Sequence, residues 1–118
     1  MIKATFKCKP DNHITQFEIT GHADSGPYGQ DIVCAAVSAV TIGTINSLQK
    51  LTKIDPKVES DDLNGGYLKC KVDLDSITDS SQLIAVRTLM DSCYQTMLSI
   101  AQNYTKFIKI KLITLSSN

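Results

Sequence analysis

The sequence predicts an α+β fold: about five strands in one mostly antiparallel sheet, with two helices, in the order β-β-α-β-β-α-β. Three observations carry this. Several short stretches alternate apolar and polar residues at every second position, the mark of a half-buried strand. Two longer stretches repeat apolar residues at three- and four-residue steps, the mark of a helix packed along one side. Turn-forming residues punctuate the stretches, and Asn64-Gly65 is a strong hairpin signal. One apolar side per strand favours both helices on the same face of the sheet. Strand order stays open, as does parallel pairing of the last strand.

Ile2, Ala4, Phe6 and Cys8 alternate with Lys3, Thr5, Lys7 and Lys9 in the first strand. Pro10-Asp11-Asn12 turns the chain, and Thr15, Phe17 and Ile19 alternate with Gln16, Glu18 and Thr20 in the second. Cys8 falls on the apolar side. His13 beside the turn is expected to be a solvated surface histidine. After a loop, Val33, Val37, Val40, Thr44, Leu48 and Leu51 form the buried stripe of a helix ending near Lys53. Gly43 in mid-helix costs about 1 kcal/mol relative to Ala, so close packing against a sheet or a second copy is expected to repay it. Lys57 to Asp62 is a short polar strand suited to a sheet edge. Tyr67 to Leu74 follows, with Leu68, Cys70, Val72 and Leu74 inward. Asp79-Ser80-Ser81-Gln82 resembles a capping box for a helix reaching about Asn103. Its stripe is Leu83, Val86, Met90, Cys93, Met97, Ile100 and Tyr104. The last strand spans Phe107 to Leu115, with Ile108, Ile110 and Leu112 inward.

The bulk numbers bound the rest. A chain of 118 residues is one domain, 1–118, large enough to bury a core without metal or disulfide. Twelve acidic and twelve basic residues cancel, so no direct nucleic-acid binding is expected from the balance. That argument covers the whole chain, not a local patch. No apolar run approaches membrane-spanning length, and the N-terminus enters a strand at once, so neither a membrane nor a signal peptide is expected. The four cysteines, Cys8, Cys34, Cys70 and Cys93, form no C-x-x-C pair, which removes the common zinc and redox spacings. Reduced thiols in a cytoplasmic location, no metal and no cofactor are the expectation.

The chemistry concentrates between Gly21 and Ser38. Gly21 ends the second strand and His22 follows. Ala23, Asp24, Ser25, Gly26, Pro27, Tyr28, Gly29 and Gln30 form a loop, expected to be a substrate-contacting flap. Asp31 is the expected helix cap, and Cys34 lies in the first turn, where the helix dipole favours an anion. Of the four cysteines, Cys34 alone sits at a helix start beside a loop that begins with histidine. A cysteine nucleophile needs a base and oxyanion donors, and His22 and the backbone N–H groups of the helix start supply those types. Asp31 orients His22 or merely caps the helix, capping having the larger share. Ser38 lies one turn beyond Cys34 on the same face. The plainer alternative is a packed cysteine and a polar strand end.

Gly21-His22-Ala23, the glycine-containing loop and Asp31-Ile32-Val33-Cys34-Ala35-Ala36-Val37-Ser38 resemble the signature of the ribosomal-processing cysteine proteases of bacteria, the Prp family. The resemblance extends over essentially the whole chain in length and element order. It implies a small cytoplasmic protease that removes the N-terminal extension of a large-subunit ribosomal protein, cutting after an aromatic-rich stretch. It implies His22 and Cys34 as a catalytic dyad, with Gly21, Asp31 and Ser38 at matching positions and a ribosomal precursor peptide as partner. A homodimer is also expected. A second reading is a non-catalytic ribosome-associated or dimeric interaction module that binds through its sheet. A metal site from Cys34, His22 and Cys8 or Cys70 is weaker, because Cys8 and Cys70 point into the expected core.

Overall fold

A computed structural model describes residues 1–21, 30–61 and 66–116, leaving aside the side chains of residues 30 and 31. Among these residues β1 is Ile2–Cys8, β2 Ile14–Thr20, α1 Gln30–Ser47, β3 Lys57–Asp61, β4 Tyr67–Lys71, α2 Ser80–Asn103 and β5 Ile108–Thr114. The strands form one sheet in the order β3-β4-β2-β1-β5. All neighbours are antiparallel except β1 and β5, which run parallel from Ile2 opposite Ile108 to Cys8 opposite Thr114. The α+β class and element order match the sequence reading, and the polar strand β3 is indeed an edge.

The inward side of β1 meets both helices in one cluster. Phe6 and Phe17 face each other across β1 and β2, their ring centroids 5.8 Å apart. Tyr94 of α2 sets its ring edge-on to Phe6 at 5.0 Å, a geometry worth about 0.5–1.5 kcal/mol beyond area burial. Val86, Met90, Cys93 and Met97 supply the buried stripe of α2. Asp79 caps this helix, accepting from the Gln82 N–H at 2.8 Å. The Gln82 side chain does not close the box; its Nε2 donates to the Thr52 carbonyl at 2.7 Å and ties α2 to the end of the preceding helix.

Several expectations need correction. Ile14 is buried as well as Thr15, because the ladder shifts register between Lys7 and Cys8 and the extra residue turns both inward. His13 is not simply solvated: its Nδ1 lies 2.8 Å from Asp91 Oδ2, while Asp91 Oδ1 accepts the Ile14 N–H at 2.9 Å. One carboxylate of α2 thereby holds the β1–β2 turn. Within that turn the His13 N–H binds Asp11 and holds its carboxyl below the usual range.

After Ser47 the helix widens into a π segment, Leu48–Thr52, closed by Lys53 at φ 64°. The wider turn brings Thr52 under Leu48 and carries Leu51 away, so Leu51 is exposed and Thr52 buried. Thr41 and Ile45 join the buried stripe of α1. Leu112 of β5 is on the inward side, in register with Phe6, but is exposed at the sheet edge, and Tyr104 after α2 is exposed as well. A Cβ added at Gly43 would meet nothing within 4 Å, so no sheet contact among the described residues repays that glycine. The segment Ile32–Thr52, at mean hydropathy 1.5, is also apolar and long enough to cross a membrane, contrary to the expectation above. The reason is that α1 is apolar on both sides. Val33, Val37 and Leu48 are buried in the core, while Ile32, Ala35, Ala39 and Ile42 are exposed.

Candidate active site

The site begins where β2 ends. Gly21 has φ +80°, a left-handed conformation that L side chains rarely adopt. Its N–H donates to the Gly66 carbonyl at 3.1 Å, and a Cβ built on it would lie 2.5 Å from the Met1 carbonyl oxygen. Three chain segments therefore converge at a point where no side chain fits. This fixes the backbone at the point where the chain leaves the sheet. His22 and the expected flap from Ala23 to Gly29 lie outside the described residues, as do the side chains of Gln30 and Asp31.

The helix opens at Gln30, so Asp31 is its second residue and not the cap that the sequence suggested. Cys34 is accordingly the fifth residue, at the start of the second turn. It is half-buried and packs against the hydrophobic core on one side. On the other it lines a cavity of about 630 Å³, together with Gly21 and Ser38. The sequence-predicted residues Gly21, Cys34 and Ser38 are thus brought together.

The remaining wall is largely apolar. Ile2 and Ile19 come from the central strands, Thr41, Ile42 and Ile45 from α1, and Val58 and Leu68 from β3 and β4. None of these was singled out for function in the sequence. The helical positions were legible in principle, lying two and three turns beyond Cys34. Val58 was not, since no local pattern says that an edge strand separated from β1 by two others reaches the same hollow. At the cavity's edge Tyr67 donates to Glu18 Oε2 at 3.1 Å. Desolvation, and then the bond to Glu18, raise the phenol's pKa above its usual value.

The four thiols differ sharply. No disulfide joins them, and Cys8, Cys70 and Cys93 are buried. Burial pushes Cys70 up to about 12 and Cys93 to about 11, so both remain protonated at neutral pH. Brief iodoacetamide treatment at pH 8 should therefore label Cys34 first, with at least about tenfold preference over the buried thiols. Peptide mapping reads the order, and equal labelling of all four would remove the site assignment. Among the described residues no group of three His, Cys, Asp or Glu is placed to hold a metal ion.

The family model for cysteine protease Prp matches residues 1–109. The chain belongs to this family. Over 110 residues it is 34% identical to the ribosomal processing cysteine protease Prp of Staphylococcus aureus, spanning 93% of this chain and 97% of that one. The crystal structure of SMU.848 from Streptococcus mutans superposes with a TM-score of 0.84 at 36% identity, covering 98% and 96% of the two chains. Staphylococcus aureus Prp in complex with a substrate peptide superposes with a TM-score of 0.79 at 26% identity, covering 95% and 99%. As a Prp protein the chain is a cysteine protease, which sets aside the non-catalytic interaction module as its primary role.

Proposed function

We propose that this protease removes the N-terminal extension of a large-subunit ribosomal protein precursor, with Cys34 as nucleophile and His22 as its acid–base partner. The observation that carries the reading is the position of Cys34. Of four thiols it is the one that is not buried, and it lies near a helix start on the wall of an apolar hollow. Cys34 Sγ attacks the scissile carbonyl carbon, and the carbonyl electrons move to oxygen. Backbone N–H groups of the first turn of α1 are the natural donors to that oxyanion. His22, protonated by the thiol, returns the proton to the leaving amine as the thioester forms. Water then adds to the thioester, giving its proton to His22, and the carboxylate product leaves with the thiol restored.

The size and apolar lining of the hollow suit one or two large apolar side chains beside the scissile bond, in keeping with an aromatic-rich stretch. Intact-mass measurement of the precursor after incubation tests the reading. A single cut within the extension is the expected result. Cleavage of unrelated polar peptides at the same rate, with the precursor left whole, would overturn it.

A homodimer belongs to the same proposal, in a cytoplasmic setting. Ile32, Ala35, Ala39, Ile42 and Gly43 form a slim, exposed apolar strip on α1, and among the described residues nothing packs on Gly43. A second copy of this helix is the partner such a strip fits. Ala39→Glu should convert a dimer to a monomer by light scattering without lowering helix content. A wild type that already elutes as a monomer at high micromolar concentration would sink this part.

A further inference from the structure

The outward face of the sheet holds a charge imbalance that the neutral total conceals. The register places all outward residues on one surface: Lys3, Thr5 and Lys7 of β1 stand beside Thr20, Glu18 and Gln16 of β2. From there the face runs through Tyr67, Lys69 and Lys71 to Asp61, Glu59 and Lys57 on one side. On the other side it reaches Lys109, Lys111 and the apolar Ile113 of β5, the last opposite Lys7. Among the described residues, seven of the chain's twelve basic residues lie here and three acidic ones, an excess of four positive charges on a chain of net zero. The buried cluster and both helices are on the opposite side.

The excess is also unevenly spread. In the middle row Lys69 stands between Glu18 and Glu59, and the row is balanced. In the row nearest the β1–β2 turn, Lys57 is directly opposite Lys71, and Gln16 alone separates Lys71 from Lys7. Lys3 similarly faces Lys109. Like charges directly opposite each other destabilise a sheet by a few tenths of a kcal/mol or more. No ion pair among the described residues neutralises Lys7, Lys57 or Lys71. A folded sheet that keeps two such pairs, although acidic residues abound elsewhere on the chain, is arranged to meet an external polyanion.

We propose that this face docks on the phosphate backbone of a folded RNA. The five strands, spaced about 4.8 Å apart, offer a platform roughly 19 Å across, wide enough to follow several phosphates. An anionic membrane fits less well, since the face carries little apolar surface to insert beside its lysines. The choice of RNA over DNA rests on the ribosomal precursor proposed above; the electrostatic argument does not. Docking would bring the protease to its substrate while the Cys34 cavity, reached from the helix side, stays open.

Fluorescence anisotropy with a labelled RNA hairpin should show binding at 50 mM salt that weakens about a hundredfold by 200 mM, as for roughly four neutralised phosphates. Lys7→Glu/Lys71→Glu should lose about a hundredfold in affinity at 50 mM and lower the salt slope by about 2. The same charge change off the face, Lys50→Glu/Lys106→Glu, should cost no more than a few-fold. Lys71→Glu sets a carboxylate opposite Lys57, so the double variant should melt no lower than wild type, and its cleavage of a short precursor peptide should be unchanged. Equal losses in the two variants, or no RNA binding by wild type at 50 mM, would overturn the proposal. So would binding to anionic vesicles or an acidic protein but not to RNA. A DNA hairpin bound equally well would keep the phosphate platform and remove the preference for RNA. Failure to cleave the precursor bears on the proposed function alone, because RNA binding is read without it.

Discussion

Cys34→Ala should abolish cleavage of the precursor, a loss of roughly 10⁶-fold, as removal of a covalent nucleophile costs in other proteases. The fold should survive. Cys34 is half-buried at a cavity wall and not inside the stripe of Val33, Val37 and Leu48, so truncation to Ala should cost about 1 kcal/mol or less. The variant should still bind the precursor peptide, since the apolar wall is intact. Cys34→Ser should be nearly as inactive, because a hydroxyl is far less acidic and less nucleophilic than a thiol. His22→Ala should lose about 10²–10⁴-fold, the usual cost of a missing acid–base group. Circular dichroism establishes folding of each protein, and intact-mass kinetics read the cleavage. Wild-type turnover by Cys34→Ala would end the mechanism. A His22→Ala protein as fast as wild type would leave the nucleophile but remove its partner.

Gly21→Ala should be the most damaging small substitution outside the core. Two costs add. The left-handed backbone at φ +80° charges an L residue about 1–2 kcal/mol. The new methyl would also stand 2.5 Å from the Met1 carbonyl oxygen, which is backbone and cannot swing aside. Relief requires the start of β1 or the end of β2 to shift, so a total of about 3 kcal/mol is expected, near the upper range for overpacking. For a domain of this size that lowers the melting temperature by roughly 10 °C. Turnover should fall further than stability accounts for, measured where the variant is still fully folded. Gly21 lines the Cys34 cavity where the chain leaves β2, and a misplacement of about 1 Å in a site can cost 10²-fold. A Gly21→Ala protein with unchanged melting and turnover would show that this convergence of segments is not what orients the site.

Local pattern carried much of the architecture. Alternation placed the strands, and the three- and four-residue steps placed both helices, because burial on one side forces those periods on any chain. The pattern failed where backbone geometry departed from the regular repeat. The bulge opposite Cys8 turned Ile14 inward, and the π segment exchanged Leu51 for Thr52. Neither irregularity has a period of its own. His13 was similarly misjudged, since its partner Asp91 lies 78 residues away and no spacing rule connects them.

For the site, the sequence by itself supplied the residue types and their order: a strand-ending glycine, a histidine, a loop, and a cysteine near a helix start. A helix start is a local property, so its place near Cys34 was legible to within a turn. The tertiary structure alone decided what surrounds that cysteine. Parallel pairing of β1 with β5 and the edge position of β3 set which strands border the hollow and which lysines share the outer face. Net charge is a sum over the chain and is blind to sides. Strand register is what sorts seven lysines onto one surface, and register is fixed by packing against the core rather than by any residue's neighbours in sequence.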